Sequence, residues 1–485
     1  MRAPRKKPTR KIVPDIAARL SHHFSLQMQP NGNIAAILGD YSVNLGQFSA
    51  AAMDRARHLS TGLPFASFAG KSALAKDVDA LVRRLARQGL LEYRLSSSRN
   101  TQDFVVIEPQ VPEYWPRRAK LGSRDTIVLS RFAFLRRRGN ELVLESPRAG
   151  ALFRIGDPAI AATLAALSQP RKTGELNQKM ASPTLHLLEL LLDSQILLKL
   201  DAKDGQGLRA NEGDGNLVLW DFHDLVFHTR STEGRQASPV GAAFTYAGVV
   251  PPSPAVRPPW AGSKIDLHKF SSPEPNSRFP KLLRERHSTR DFDDKNPVTL
   301  GELAQFLDTS ARVLSEWKSE PYFEGGPDVT YSTRPYPSAG SAYELELYLT
   351  VANCDGLARG LYHYDAGSHA LVAISASPQQ LQAHLTAAQF AMDAPGQPQI
   401  LITMAARFGR VSWKYSSIAY SLILKDVGSL IQTLYLAATD MGLGGCAIGS
   451  TNIDLFAKMT ELEFHIEGPV GQFALGRGRR PEVQG

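Results

Sequence analysis

Apolar and polar positions alternate along HFSLQMQ, break at Asn31-Gly32-Asn33 and resume as the apolar run IAAIL, which predicts a hairpin. The period then changes to that of a helix. In DVDALVRRLARQGLLEYRL, Val78, Leu81, Val82 and Leu85 fall on one face, Gly89 supplies the stop, and the chain leaves as a strand. Strand, helices and a final helix closed by Gly-Leu-Leu-strand outline a small winged-helix-like unit over residues 21–97, behind a basic tail at 1–20.

The outline recurs over residues 125–202. RFAFLRRRGNELVLESPRAGALFRI reads as three strands with a turn at Arg138-Gly139-Asn140, and Asp157-Pro158 starts a helix. SPTLHLLELLLDSQILLKLD repeats the last helix and exit strand, a likeness of pattern with little identity. SSSRNTQDF and VPEYWPRR between the copies read as a linker. Residues 203–275 form a larger seam, in which PPSPAVRPP has five prolines in nine residues. Inside it, NLVLWDFHDLVFHTRST is too apolar for a spacer and reads as a docked arm. From 276 to 480, helices and strands alternate, including an amphipathic TLGELAQFLDTSARVL and a long buried SSIAYSLILKDVGSLIQTLYLAATDMGL. The expectation is an α+β domain with a mixed sheet.

Composition narrows the function classes. Across 485 residues, 43% are hydrophobic and 21% charged, an ordinary globular mixture that speaks for about three domains. No run of about 18 apolar residues occurs, so no membrane partner and no secretory signal are expected, and the expected compartment is the cytoplasm. The net charge of +8 is largely an end effect: the first eleven residues hold six Lys/Arg and no acid, which leaves +2 for the rest. Two cysteines, Cys354 and Cys446, make neither a disulfide framework nor a structural zinc site. The histidines, His223 and His228 included, show no metal-ligand spacing, so no metal is expected.

Four short segments carry possible chemistry. In Arg286-His287-Ser288-Thr289-Arg290, two guanidinium groups four residues apart can fork onto a phosphate, or form a solvated basic patch. Pro337-Ser338-Ala339-Gly340, just before a strand, is either a plain turn or a place where backbone N–H groups approach a flat ligand. Lys414-Tyr415 at the head of the long helix can exchange protons over a ligand, with burial weakening the lysine's hold on its proton, or can snorkel and pack. Gly442-Leu-Gly-Gly-Cys-Ala fits a dinucleotide fingerprint only on paper, because a helix precedes it where a strand is required. Gly444 and Gly445 are then a second close-approach loop. The arginines of the closing Gly-Arg-Gly-Arg-Arg segment reach the same phosphate or trail into solvent.

In this order the four segments resemble the nitroreductase-like flavin fold, and more narrowly its SagB-type azoline (thiazole/oxazole) dehydrogenase branch, which acts on ribosomally made peptides. The resemblance covers roughly residues 276–480, with Lys414-Tyr415 selecting the branch and winged-helix-like modules preceding the catalytic domain. It implies FMN at a homodimer interface. Arg286, His287, Ser288, Arg290 and Arg477 would serve the ribityl and phosphate end, Pro337, Ser338, Ala339 and Gly340 would line the isoalloxazine, and Gly444 and Gly445 would border it. Lys414 and Tyr415 would handle protons while the flavin takes a hydride from an azoline of a precursor peptide. A cyclodehydratase is the expected protein partner. A general flavin reductase of small molecules is the alternative. A DNA-binding regulator comes third, because only the first repeat offers basic residues on its last helix (Arg83, Arg84, Arg87), and no nucleic-acid partner is expected.

Overall fold

The computed structural model describes residues 15–96, 103–179, 183–200, 215–231 and 277–479, apart from breaks at 22–23, 39–40, 112, 322–323, 325–327 and 416, with short pieces at 249, 254–256 and 264–270. Most of the basic tail, most of the 203–275 seam and Arg480 lie outside the described residues. The chain divides into two compact units, residues 1–218 and 219–485.

The first unit begins with β1 (Asp15–Leu20), which the sequence reading had given to the tail. A meander follows, β2 (Ser25–Met28), β3 (Asn33–Leu38) and β4 (Tyr41–Gln47), with Gly32 at φ +79° turning the expected hairpin. Then come α1 (Ala50–Ala56), the short β5 (Leu63–Pro64), α2 (Ala73–Arg87), β6 (Leu91–Ser96) and β7 (Asp103–Pro109). The second half of the unit runs β8 (Thr126–Leu129), the meander β9 (Phe134–Arg138), β10 (Glu141–Glu145) and β11 (Ala151–Ile155), α3 (Pro158–Ala166), β12 (Arg171–Lys172), α4 (Thr173–Lys179), α5 (Pro183–Asp193) and β13 (Leu197–Leu200).

Both halves therefore run strand, meander, helix, short strand, long helix, exit strand, with α4 added before the long helix of the second. In both, the first strand lies between the short strand and the exit strand, as β5-β1-β6 and as β12-β8-β13. The helix stop repeats too. Gly89 and Gln195 both take positive φ, at +66° and +57°, and the next residue donates back to the helix, Leu90 to Leu85 O at 3.0 Å and Ile196 to Leu191 O at 2.9 Å. Backbone geometry is thus repeated where residue identity is not.

The halves are not separated by a linker. β7, which lies in the expected gap, pairs with β6 on one side and β11 on the other, so one seven-stranded sheet (β5-β1-β6-β7-β11-β10-β9) joins them. One apolar core runs through both, from Val78, Leu81, Val82 and Leu85 of α2 to Leu187, Leu188 and Leu191 of α5. The arginines of α2 are turned to internal use: Arg83 pairs with Asp79 and stacks on Trp115, Arg84 donates to Leu45 O, and Arg87 faces Glu113.

The second unit contains α6 (Phe222–Arg230), α7 (Arg278–Glu285), α8 (Leu300–Ala311), the ribbon β14 (Ser315–Ser319) and β15 (Val329–Thr333), then β16 (Leu345–Val351), β17 (Gly360–Asp365) and β18 (Ala370–Ile374). It ends with α9 (Pro378–Met392), β19 (Ile400–Arg407), the short α10 (Phe408–Ser412), α11 (Ala419–Asp440), β20 (Gly444–Ile448), α12 (Ile453–Thr460) and β21 (Glu467–Gly476). The sheet has the order β18-β17-β16-β19-β21-β20, and every pairing within it is antiparallel, not mixed as expected. α11 buries Ile423, Val427, Leu430 and Leu434, the stripe its sequence period demands. Phe473 of β21 lies edge-on to Tyr435 of α11, tying the helix to the sheet.

α6 is the docked arm, and it belongs to this unit. Asp221 caps it, Trp220 is buried against Phe408 with its indole N–H on His465 O at 2.8 Å, and His228 meets the Tyr420 hydroxyl at 3.0 Å. Among the described residues no helix is long and apolar enough to cross a membrane.

Candidate active site

The Arg286–Arg290 segment leaves the end of α7 and runs beside β20, where the Thr289 N–H donates to Gly445 O at 2.8 Å. Ser288 meets the Tyr435 hydroxyl at 2.8 Å, and that hydroxyl also accepts the Ala447 N–H at 2.9 Å. The Arg286 guanidinium lies 5.1 Å above the Tyr435 ring. Among the described residues neither Arg286 nor Arg290 has a carboxylate partner, so two forked donors stand uncommitted. A cavity of about 1410 Å³ opens here, lined by His287, Thr289, Tyr435, Gly444, Gly445 and Arg477 among others.

Arg477 is placed at this cavity but is already engaged. Its Nη2 donates to both oxygens of Glu302, at 2.7 and 2.8 Å, and Nε donates to Asn296 O at 3.2 Å. Glu302 in turn closes the capping box of α8 with Thr299, and the Arg477 hydrogen bond holds its carboxyl below the ordinary range. Arg477 is thus a brace for α8, which differs from the expectation of a free phosphate donor.

Gly444 and Gly445 lie in a strand and not in a loop. A Cβ on Gly445 would come within 2.2 Å of the Phe473 ring, and one on Gly444 within 2.6 Å of Thr289. Internal packing already demands both glycines, and they offer the cavity only their backbone.

The Pro337–Gly340 loop is fastened from below to α11. Asp426 accepts the Ser338 hydroxyl at 2.9 Å and the Ala339 N–H at 2.8 Å, and Ser338 lies 3.3 Å from Glu344. Glu344 is fully buried, and burial, reinforced by the charge of Asp426, pushes its carboxyl up to about 7. Above the loop lie Lys414 and Tyr415. Gly340 takes φ +55°, and a Cβ there would stand 2.5 Å from the Tyr415 hydroxyl and 2.9 Å from Lys414 Nζ. Loop and pair, more than seventy residues apart in sequence, thus close on one point.

Lys414 and Tyr415 do not open the long helix. They sit on a turn after α10, their N–H groups both directed at Val411 O, and α11 starts at Ala419. Lys414 is exposed, so the burial expected of it is not supplied by its own unit. Its Nζ lies instead 5.6 Å from the Tyr331 ring and 5.5 Å from the Tyr415 ring.

The two clusters share a backbone support. Asp426 and Tyr435 are nine residues apart on α11, roughly 13 Å along a helix. The uncommitted arginines thus stand at one half of the helix and the loop with Lys414-Tyr415 at the other. Tyr435, Asp426, Glu344 and Tyr331 escaped the sequence reading: Tyr435 falls on the apolar stripe of α11 and reads as core, although Asp426, a lone acid on a buried helix face, was a visible signal. Among the described residues no group of three or more His, Cys, Asp or Glu could hold a metal ion. Both cysteines are buried thiols, and burial pushes Cys354 up to about 11.

Two family models match the chain, the cyanobactin oxidase ThcOx over residues 127–237 and the nitroreductase family over residues 283–477. The chain is 29% identical over 175 residues to MJ1384 of Methanocaldococcus jannaschii, a protein named as a nitroreductase, covering 36% of this chain and 79% of that one. It is 30% identical over 207 residues to the microcin B17-processing protein McbC of Escherichia coli, covering 41% of this chain and 71% of that one. Among solved structures, the E. coli microcin synthetase McbBCD complex with truncated pro-MccB17 bound is similar at 24% identity and TM-score 0.37, covering 55% of this chain and 97% of that one.

Proposed function

The chain belongs to the nitroreductase-like flavin family, in its SagB-type azoline dehydrogenase branch, and from that premise we propose that this oxidoreductase uses FMN to oxidise azolines in a ribosomally made peptide to thiazoles or oxazoles. The observation that carries the reading is the convergence of Lys414 and Tyr415 on Gly340 of the Pro-Ser-Ala-Gly loop.

The residues fit FMN. Arg286 and Arg290, without carboxylate partners among the described residues, suit a phosphate, with Ser288 and His287 beside them and the cavity at Gly444 and Gly445 adjoining. The Lys414 and Tyr415 termini occupy the space that a side chain at Gly340 would take, and the loop Pro337–Gly340, bonded to Asp426, offers its backbone to a flat ring. When bound, FMN supplies the hydride acceptor and later gives its electron pair to oxygen.

The chain's own residues handle the rest. An azoline becomes an azole by losing a proton from one ring carbon and a hydride from its neighbour. Lys414 and Tyr415 stand where that proton is delivered, one as acceptor and one as hydrogen-bonding orienter of the ring. Asp426 and Glu344 hold the loop so that the pair and the ring keep their spacing. The Tyr331 and Tyr415 rings that flank Lys414 favour its ammonium electrostatically.

The two repeated halves of the first unit read as winged-helix-like modules that recognise the peptide by strand addition. Their exposed α2 arginines are each engaged by a partner within the unit, Arg83 by Asp79 and Trp115, Arg84 by Leu45 O and Arg87 by Glu113, which favours this over DNA reading. A homodimer, and association with the cyclodehydratase that makes the azoline, complete the proposal. Mass spectrometry of a co-expressed precursor peptide tests it: each ring oxidised by loss of a proton and a hydride lightens the peptide by about 2 Da beyond the loss of water. Water loss alone, with the FMN-loaded enzyme present, would remove the assignment.

A further inference from the structure

Two large aromatic side chains remain exposed around the Lys414 turn, Trp413 beside Lys414 itself and Trp317 behind the Tyr331 ring. Trp413 is 49% exposed and Trp317 43% exposed. A hydrophobic ring left in water is a cost that a lone side chain bears often, but here Trp413 lines a cavity and Trp317 backs another ring that lines it. A cavity of about 370 Å³ is lined by Tyr331, Gly340, Arg410, Trp413 and Lys414 among others, a volume at the small end of ligand pockets. Trp317 of β14 stacks on Tyr331 of β15 at 5.7 Å and 27°, and Tyr331 in turn carries Lys414 Nζ.

The walls are held in place by backbone contacts. Trp317 and Tyr331 are directly opposite in the β14–β15 register, which fixes their stack. Arg410 donates to Ala342 O and to Thr330 O, fastening the ribbon to the segment that follows the Pro337–Gly340 loop. The cavity thus has one aromatic wall fixed by strand register, the half-exposed indole of Trp413, and the Lys414 ammonium among its lining groups.

We propose that this cavity is the subsite for the five-membered ring of the substrate, with Tyr331, backed by Trp317, and Trp413 holding the ring between aromatic faces as it meets Lys414. The inference rests on the azoline oxidase reading and adds the residues that select a ring over an open Cys, Ser or Thr side chain. A planar, weakly polar ring suits aromatic walls, whereas an uncyclised side chain has neither the flat face nor the area to gain from them. The cavity's size admits one ring and its flanking backbone. Its continuity with Lys414 and Gly340 ties it to the reaction.

The test uses the FMN-loaded full chain and a synthetic peptide carrying one thiazoline, beside the same peptide with the cysteine open. Trp413→Ala and Trp317→Ala are expected to raise KM for the thiazoline peptide about tenfold each, with kcat and flavin content near wild type. They should leave the weaker binding of the open peptide unchanged. Unaltered KM in both variants overturns the subsite while leaving the oxidase reading intact. Should the wild type fail to oxidise the thiazoline peptide, fluorescence titration separates the two ideas. A ring preference in binding that both variants lose keeps the subsite and removes the oxidase reading, and equal binding of ring and open peptide by the wild type removes the subsite. An indole at 413 shielded from added iodide before any peptide is present, as a second copy seated there would produce, also counts against it.

Discussion

The Ser338 hydroxyl lies 2.9 Å from the Asp426 carboxylate, and the same carboxylate oxygen takes the Ala339 N–H at 2.8 Å. One acid of the central helix therefore sets the height of the loop that faces Lys414 and Tyr415. Asp426→Ala leaves the half-buried Ser338 hydroxyl with only its 3.3 Å contact to Glu344 and the Ala339 N–H without this partner, a loss of about 1–3 kcal/mol. Urea unfolding should show a destabilisation of that size together with reduced turnover. Unchanged stability would mean that the loop finds its support elsewhere.

Glu344 makes the same site sensitive to pH. Its carboxyl sits at about 7 in the folded chain because it is buried beside Asp426. A value raised on folding means that the native state holds a proton the unfolded chain gives up near 4.5. The stabilisation is therefore complete below the ordinary carboxyl range and is lost as pH rises through about 7. Unfolding free energy should fall between pH 5 and pH 8, and Glu344→Gln, which cannot ionise, should flatten that slope. A slope of the same steepness in the variant would assign it to other groups.

For the proton-handling pair, Lys414→Ala and Tyr415→Phe should each lower kcat on a thiazoline peptide by about 10²–10⁴-fold. Flavin absorbance of the purified variants should match the wild type, since the pair approaches Gly340 and not the arginine end. Gly340→Ala gives a complementary result. Its Cβ would push the Lys414 and Tyr415 termini aside and sit at φ +55°, so activity should drop with the pair still present. Full activity in all three variants would leave the chain a general flavin reductase.

The arginines should separate into two groups. Arg286→Ala and Arg290→Ala remove uncommitted charged donors, and each should weaken FMN binding by about ten- to a hundredfold, more at low salt than at high. Arg477→Ala should act mainly on stability, because its guanidinium is used by Glu302. Fluorescence titration of FMN at two salt concentrations distinguishes them. An equal loss of affinity in all three would return Arg477 to the phosphate.

Elements with a strong local period were legible in the sequence: the α2 face, the α8 stripe, the Asp157-Pro158 helix start and the long α11 all appear where their patterns put them. What escaped depends on distant partners. β7 looked like linker because a single short strand is recognised only by the neighbours it joins, β6 and β11. Gly444 and Gly445 line the cavity as close approach requires, but the sequence cannot show Phe473 and Thr289 pressed against them, a second demand for glycine at both. Arg477 looked free because Glu302 is 175 residues away. The four motifs were legible by their order, while the supports beneath them, Asp426, Glu344 and Tyr435, carry ordinary core spacing.

The arm before the catalytic segment supplies the last prediction. Trp220 packs on Phe408 at the start of α10, and His228 bonds Tyr420 in the first turn of α11, so the arm grips both ends of the stretch that carries Lys414 and Tyr415. Trp220→Ala removes a buried indole and should cost about 3–5 kcal/mol. Below the unfolding temperature it should still bind FMN, whose arginines lie on another segment, yet turn over slowly because the Lys414-Tyr415 turn has lost one anchor. Trp220→Phe keeps a ring against Phe408 and loses only the hydrogen bond to His465 O, so it should fall between the two. Thermal unfolding followed by kcat measured at a temperature where every variant is folded distinguishes positioning from plain stability. A kcat equal to wild type in folded Trp220→Ala would make the arm a structural clasp with no part in placing the pair.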